Sequence, residues 1–201
     1  ASEPIIWGLD VARFGGDNSA LCVRQGNTVL EIKSFASMDL MQLCGVVKNR
    51  YDEATALERP QEILVDVIGI GAGVVDRLRE QNLPVRGVNV SESSSTKKNY
   101  LNLRAELWFA IKDWLAQRDC RLPIDDELAS ELAAPLYKYT STGKIKIESK
   151  DEMRKRGIKS PDKADALALT MASSAASFSG SESYFGYNFK KPLKSRIIRV
   201  G

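Results

Sequence analysis

The sequence predicts an α/β domain with a mixed central sheet, three antiparallel strands followed by parallel strands, and helices on both faces. Apolar runs separated by turn residues begin the chain, as in a β-meander. A strand, glycine-rich loop, helix and strand follow, the β-α-β pattern of parallel sheets. Helical periodicity dominates the second half. With 201 residues, the chain has the size of one domain with a substantial core.

The first half predicts three strands, a helix and a β-α-β unit. The turn signals Asp17-Asn18 and Gly26-Asn27 separate the strands of the meander. Apolar residues at helical spacing over 38–51 indicate a helix with Ser37 as N-cap. The glycines of 69–73 would pack the next helix tightly against a strand end, because neither GxGxxG nor GxxxxGK[ST] is present. The expected strands are 5–11, 19–24, 28–35, 62–67 and 85–90, and the second helix is 74–81.

The second half predicts helices and one hairpin. The apolar stripe of the longest helix contains Trp108 and Trp114, which are expected in the core. Ser160 and Pro161 would begin the last helix as N-cap and first helical residue. The Ser/Gly-rich stretch 173–183 leads from that helix to a basic tail. The other expected elements are helices over 102–116 and 125–134 and a hairpin of 136–139 with 144–148.

Composition excludes several kinds of chemistry. The chain has no histidine, which excludes Ser-His-Asp and Cys-His nucleophiles, histidine bases and histidine-bound metals. Cys22, Cys44 and Cys120 are far apart without a CxxC pair, so no disulfide framework or zinc ribbon is expected, and a reducing cytoplasm fits best. No apolar run approaches the ~18 residues that span a bilayer, and no signal peptide is expected.

Four aspartates indicate a site for hard metal ions. Asp10 and Asp66 each lie in an otherwise apolar strand, where an unpaired carboxylate would cost several kcal/mol. Asp162 and Asp165 share one face of the first turn of the last helix. One strand aspartate alone has a structural explanation, and Asp162 suits a helix N-terminus, but Asp165 lies among apolar residues on a helix that faces the core and is harder to explain structurally. Together they would repel one another unless cations such as Mg²⁺ or Mn²⁺ lie between them.

Basic residues cluster in two zones, although the net charge is only +3. Residues 190–201 contain five lysines and arginines and no acid, and residues 138–163 contain nine against four acids. Such zones favour a polyanion partner over non-specific association, and solvated surface charge stays an open alternative for each zone. The second zone would contact DNA phosphates without reading sequence. The residues assigned to DNA contact are Lys144, Lys146, Lys150, Lys155, Arg156 and Lys159.

Five motifs in order resemble one family. They are GLDVARFGGDNSA, VDVIGIGAGVVDRL, YLNLRAELWFAIKDWL, LPIDDELASELAAPLY and KDEMRKRGIKSPDKADALALT. The sequence resembles the nuclease domain of large terminase subunits, the DNA-packaging motors of tailed double-stranded DNA phages of the headful-packaging type. That domain belongs to the RNase H/RuvC-like superfamily. The resemblance covers residues 5–175.

The resemblance implies a metal-dependent endonuclease that cuts concatemeric viral DNA by two-metal-ion hydrolysis, with two Mg²⁺ or Mn²⁺ ions per site. Asp10 would bridge both ions, and Asp66 and Asp165 would each complete one ion's shell, which makes these three the catalytic residues. Asp162 matches a second acid of the RuvC pattern and is assigned to the metal site as a ligand or a neighbour of one. Residues 1–175 would form the nuclease domain, followed by a linker and basic tail over 176–201.

The resemblance also implies partners and a place of action. They are double-stranded DNA, the portal or prohead through the basic tail, the small terminase subunit, and an ATPase domain of the same protein. No Walker A lysine motif is present, so this chain is expected to be the C-terminal half of the motor protein. The domain would act in the host cytoplasm at the prohead, away from membranes, and would be absent from the mature virion.

Three alternatives remain open at this stage. A RuvC-like junction resolvase or integrase would share the site but prefer branched DNA. An actin-like ATPase also has an aspartate on its first strand, but the usual Gly-Thr after it is missing here. A non-catalytic DNA-binding module would have no use for clustered carboxylates.

Overall fold

The computed structural model describes residues 3–12, 18–94 and 99–173. Three predicted features therefore lie wholly or partly outside the described residues. They are the turn at Asp17-Asn18, the linker and the basic tail. The elements in order are β1 (Ile5–Asp10), β2 (Asn18–Gln25), β3 (Thr28–Ala36), α1 (Leu40–Glu53), β4 (Glu62–Asp66), α2 (Gly71–Glu80), β5 (Val85–Val88), α3 (Leu103–Ala116), α4 (Asp126–Ala133), β6 (Tyr137–Tyr139), β7 (Ile145–Ile147), α5 (Lys150–Lys155) and α6 (Asp162–Thr170). None of the described helices combines the length and hydrophobicity needed to cross a membrane.

The central sheet has five strands in the order β3-β2-β1-β4-β5. The first three strands are antiparallel to one another, whereas β4 runs parallel to β1 and β5 runs parallel to β4. Strands β6 and β7 form a separate antiparallel hairpin. The predicted mixed sheet and hairpin are confirmed.

Alternation along β1 divides the core between two faces of the sheet. Ile5, Trp7 and Leu9 belong to the cluster that includes the buried side chains of α1 and α2. Ile6 points to the opposite face and packs with Leu169 of α6. Because successive side chains of a strand point in opposite directions, Asp10 lies on the α6 face. Helices therefore cover both faces, as predicted.

Helix α6 is anchored at its C-terminal end by a buried arginine of β2. The Arg24 Nε atom donates to Thr170 Oγ1 at 2.8 Å, and one of its terminal nitrogens donates to the Thr170 carbonyl oxygen at 2.8 Å. A positive charge at this end of a helix complements the helix dipole and its free carbonyl groups. Arg24 thus holds α6 against β1 and β2, and the N-terminal turn of α6 reaches the carboxyl end of β1.

Two predicted N-caps are wrong. Helix α1 is capped by Asp39, whose side chain accepts from the Gln42 N–H in a capping box, whereas Ser37 has a positive φ of 51°. Helix α6 has Pro161 at the cap position, without a side-chain cap bond. Its first turn is satisfied instead by Glu131 of α4, which accepts from the Ala164 N–H at 2.9 Å.

One helix begins earlier than predicted, and one helix was not predicted. Helix α2 begins at Gly71, three residues before the predicted start, because the chain turns sharply after β4: a Cβ on Gly71 would lie 1.7 Å from the Asp66 carbonyl oxygen. Helix α5 was missed in the sequence because it has only 6 residues. Its signature is a capping box in which Ser149 and Glu152 exchange bonds.

Candidate metal centre

The carboxyl ends of two neighbouring parallel strands place two aspartates at one edge of the sheet. Leu9 of β1 is paired with Val65 of β4. The next residues are Asp10 and Asp66, the last residues of their strands. Asp10 is only 3% exposed. Asp66 is half-buried, and its Oδ1 atom accepts from the Ile68 N–H at 3.0 Å, which fixes the side chain at the strand end.

The first turn of α6 adds two more acids above this edge. Asp162 and Asp165 are each 7% exposed and lie three residues apart, so both side chains leave the helix on the same side. Negative side chains in the first turn interact favourably with the helix dipole. That interaction offsets part of the cost of burying two carboxylates.

One lysine joins three of these carboxylates. The Lys150 Nζ atom lies 2.8 Å from Asp10 Oδ2, 3.4 Å from Asp162 Oδ1 and 3.3 Å from Asp165 Oδ2. Its side chain is 19% exposed. Lys150 is the first residue of α5, which extends directly from the β6–β7 hairpin. A single ammonium is thus the meeting point of acids from β1 and α6.

The charges of this cluster do not balance, and the pKa values show the consequence. Burial raises the pKa of Asp10 to about 8; Lys150 opposes this shift, and Asp165 and Asp162 add to it. Burial also raises the pKa of Asp162, again against the opposing effect of Lys150. Two positive charges, those of Lys150 and of the Arg104 guanidinium beside Asp165, face three buried carboxylates and are too few to keep all of them ionised at neutral pH. The cluster therefore has room for further positive charge.

Asp165 is held differently, because two side chains of α3 donate to it. Trp108 Nε1 donates to Asp165 Oδ1 at 2.8 Å. A terminal nitrogen of Arg104 lies 3.1 Å from the same oxygen and 3.4 Å from Oδ2. Burial alone would raise the pKa of Asp165, but Arg104, Lys150 and the Trp108 bond hold that pKa below its ordinary value. Asp165 therefore stays ionised.

A cavity of about 200 Å³ opens in front of the cluster. Asp10, Asp66 and Asp165 line it together, with Arg104 and Lys150. Asp162 lines a second cavity of about 590 Å³ beside Ser160 and Glu131. The structure thus brings the four predicted acids to one region, with three of them on the first cavity.

The cluster does not form a metal cage as it stands. Within residues 3–12, 18–94 and 99–173, no three histidine, cysteine, aspartate or glutamate side chains are arranged to hold a metal ion. The ammonium of Lys150 occupies the position at which the carboxylates converge. A metal ion would have to replace that ammonium.

The residues predicted to contact DNA lie in different environments. Lys155 and Lys159 are exposed. Lys146 is paired with Glu152 at 3.1 Å and also lines the first cavity. Arg156 is exposed but makes two bonds to Glu148, at 2.7 and 3.0 Å.

The two other residues predicted to contact DNA, Lys144 and Lys150, also lie in different environments. Lys144 is half-buried in the hairpin loop. Lys150 points its ammonium into the acid cluster, so its charge serves the carboxylates in this structure. These placements do not test the predicted DNA contacts, which stay predictions.

Arg104 and Trp108 were missed as site residues by reasoning from the sequence. The helical stripe of α3 correctly places Trp108 in the core, where it is 6% exposed. Nothing in this apolar stripe indicates that the Trp108 indole N–H donates to Asp165, 57 residues later. The only signal was Arg104 itself, a charged residue next to Leu103 and Ala105 on a helix with an otherwise apolar stripe.

No family model and no curated protein sequence matches the chain. Solved structures do match the chain. The nuclease domain of the large terminase subunit gp2 of bacterial virus Sf6 is 22% identical, covers 85% of this chain and 89% of its own, and has a TM-score of 0.70. A mutant of the same domain with manganese reaches a TM-score of 0.73 at 21% identity and the same coverage.

A second virus gives the same result. The large terminase nuclease from thermophilic phage G20c, with bound magnesium, is 16% identical over 84% of this chain and 80% of its own, with a TM-score of 0.64. The predicted RNase H-like class and the resemblance drawn from the sequence motifs are both confirmed at the level of structure. The chain has the fold of the nuclease domain of phage large terminase subunits.

Proposed function

We propose that this chain is a metal-dependent endonuclease that cuts concatemeric double-stranded DNA during viral genome packaging. The observation that carries the proposal is the convergence of Asp10, Asp162 and Asp165 on one ammonium, beside a cavity that Asp66 also lines. Buried carboxylates from two strands and a helix need cations, and oxygen-only ligand sets suit Mg²⁺ or Mn²⁺. No histidine is required.

The residues present fit such ions. Two observations support this fit: the Lys150 ammonium lies at the meeting point of the carboxylates, and burial raises the pKa of Asp10 to about 8, which favours additional positive charge there. Asp10, Asp66, Asp162 and Asp165 would hold the ions. Bound there, two divalent ions supply activation of a water molecule and stabilisation of the leaving oxygen of a phosphodiester.

The roles of the acids follow from their positions. Asp10 lies between the β4 side of the cavity and the α6 side, which supports its assignment as the ligand shared by both ions. Asp66 would serve the ion on the β4 side, and Asp165 the ion on the α6 side. Asp162 contacts Lys150 but lines the neighbouring cavity, which supports an outer position at the same centre.

Besides Lys150, two cationic side chains line the cavity and suit an anionic substrate. They are Lys146 and Arg104. A phosphodiester in the cavity would lie beside these charges, and Lys150 would leave the acids as ions arrive. Lys155, at the end of α5, and Lys159, after it, are exposed and would extend the phosphate contacts along the duplex.

The packaging context rests on the likeness to solved nuclease domains named as parts of phage large terminase subunits. In that context an ATPase domain and a small terminase subunit would act with this domain in the host cytoplasm. The basic tail over 176–201 would dock the portal or prohead. Removal of residues 186–201 should abolish portal binding while leaving DNA cleavage intact; retained portal binding would contradict the role of the tail.

The first experiment is cleavage of supercoiled plasmid in Mg²⁺, Mn²⁺ or EDTA. We expect nicking and linearisation in either metal and none in EDTA. Asp10→Asn should abolish cleavage, because it removes the shared carboxylate. Asp76→Asn is the matched control, since Asp76 is exposed on α2 and pairs only loosely with Arg79 at 3.6 Å, and it should cleave like the parent chain.

The same assay separates the alternatives. Equal cleavage by Asp10→Asn and the parent chain would contradict the assigned centre. Preference for four-way junctions over linear duplex would indicate a junction resolvase. Binding of duplex without cleavage in either metal would indicate a non-catalytic DNA-binding module.

A further inference from the structure

Helix α3 directs two donors at Asp165, both closest to Oδ1, and the Arg104 nitrogen also lies 3.4 Å from Oδ2. Trp108 Nε1 and a terminal nitrogen of Arg104 lie 2.8 Å and 3.1 Å from Oδ1. The two residues are four apart and therefore share one face of the helix. The other oxygen, Oδ2, faces Lys150 at 3.3 Å, on the side of the acid cluster. The two oxygens of this carboxylate therefore have different surroundings.

The donors themselves are held in place. The second terminal nitrogen of Arg104 donates to the Glu148 carbonyl oxygen at 2.6 Å, which ties the guanidinium to the chain just before α5. The guanidinium also lies over the Trp108 ring, 5.6 Å from its centre. Trp108 is 6% exposed in the core. Neither donor can follow Asp165 if that carboxylate rotates.

We propose that Arg104 and Trp108 are positioning residues that hold Asp165 through Oδ1 and present Oδ2 to the metal centre, and thereby favour Mg²⁺ over Ca²⁺. This inference rests on the proposed function. A rotation that turned Oδ1 away from α3 and toward an ion would strain the Trp108 bond, because the indole is fixed in the core. Ca²⁺ accepts two-oxygen carboxylates and six to eight ligands, whereas Mg²⁺ needs near-octahedral geometry with single-oxygen ligands.

Burial of an indole N–H does not by itself explain this arrangement. Trp114, on the same helix and 0% exposed, donates to the neutral amide oxygen of Asn27 at 3.0 Å. The core of this fold thus satisfies a tryptophan without a carboxylate. The contact between Trp108 and Asp165 places a neutral donor of fixed orientation on a charged group, which orients the carboxylate without changing its charge.

The first test uses the indole N–H resonances of the intact chain in ¹⁵N NMR spectra. Trp108→Phe identifies the Trp108 signal by its loss. Titration with Mg²⁺ alone should shift the Trp108 resonance and leave Trp114 in place, because only Trp108 touches a residue of the centre. If Mg²⁺ binds by calorimetry and the Trp108 resonance does not move, the inference is overturned.

The second test measures the affinities for Mg²⁺ and Ca²⁺ by calorimetry in three variants. Trp108→Phe keeps the ring but loses the donor, and Arg104→Lys keeps the charge but loses the link to Glu148. Each should weaken Mg²⁺ binding by about tenfold, the size of effect typical for partners of metal ligands, and weaken Ca²⁺ binding less. The ratio of the two affinities should therefore fall. Trp114→Phe should leave the ratio unchanged.

The outcomes separate this inference from the proposed function. An unchanged ratio in both Trp108→Phe and Arg104→Lys, with folded spectra and plasmid cleavage by the parent chain, would overturn the positioning role alone. A Mg²⁺-induced shift of Trp108 without plasmid cleavage would overturn the endonuclease and leave the positioning role standing. Absence of Mg²⁺ binding by the parent chain would overturn both.

Discussion

Gly8 of β1 and Ala166 of α6 touch so closely that no larger residue fits at position 8. A Cβ on Gly8 would lie 2.0 Å from the Ala166 carbonyl oxygen. Asp10 lies two residues after Gly8, and Asp165 immediately precedes Ala166. This backbone contact therefore sets the distance between the acids of β1 and those of α6.

Gly8→Ala should push α6 away from the sheet. We expect a loss of about 1–3 kcal/mol in the free energy of unfolding, the usual effect of overpacking, and a smaller rise of the melting midpoint with Mg²⁺. Gly45→Ala on α1 is the control, because a Cβ there meets nothing within 4 Å. It should be neutral or stabilise by about 0.5–1 kcal/mol. Chemical denaturation measures both, and equal stability of the two variants would contradict the role of Gly8.

Lys150→Met should make the acid cluster depend on metal ions. The variant keeps the aliphatic stem but removes the cation of Asp10 and Asp162 and leaves Asp165 with Arg104 alone, so the metal-free chain should lose about 3–5 kcal/mol of stability. Mg²⁺ should raise its melting midpoint more than that of the parent chain, because the ion no longer competes with the ammonium. Lys48→Met, at a surface pair with Asp52, should change stability by less than about 1 kcal/mol. An identical response to Mg²⁺ in both variants would speak against competition at the centre.

Glu131 should make the stability depend on pH near neutrality. Burial raises its pKa to about 7; the Ala164 N–H opposes the shift, and Asp162 and Glu127 add to it. Since the folded chain binds this proton more tightly than the unfolded chain, stability should fall as the pH rises from 4.5 to about 7. Partial exposure reduces the expected loss to about 1–2 kcal/mol.

Glu131→Gln tests this dependence because it keeps an acceptor for the Ala164 N–H and removes the titration. Denaturation at pH 5 and pH 8 should show less loss of stability in the variant than in the parent chain. Glu53→Gln, at the exposed end of α1, should keep the parent behaviour. The assignment is wrong if Glu131→Gln and the parent chain lose the same stability between these pH values.

Lys155 and Lys159 should contribute more to DNA binding than Arg156. Both lysines are exposed, whereas Arg156 is paired twice with Glu148. Replacing both lysines by alanine should weaken duplex binding and reduce the slope of log affinity against log salt by about 1.8, which corresponds to two lost phosphate contacts. Arg156→Ala should reduce the slope by less. Fluorescence anisotropy over a salt series distinguishes them, and an unchanged slope in the double variant would contradict these contacts.

The sequence predicted the strands and most helices correctly, because apolar periodicity and turn residues are local signals. It also indicated the four acids, since a charged residue in an apolar strand or on a buried helix turn is conspicuous. One error arose where a residue distant in the sequence makes the contact that the prediction assigned to a neighbouring residue. Ser160 does not cap α6, because Glu131 of α4 supplies the acceptor. Helix α5 is too short for periodicity to reveal.

By itself, the sequence determined the fold class, the absence of histidine chemistry and the acids at the ends of β1, β4 and at the start of α6. Only the tertiary structure decided which cations meet them. Lys150 reaches Asp10 across 140 positions, and Arg104 and Trp108 reach Asp165 across 61 and 57. These pairs arise because α3, α5 and α6 pack over one edge of the sheet. Burial of these carboxylates without partners would cost several kcal/mol, and that cost, which no local pattern of residues encodes, selects the pairs.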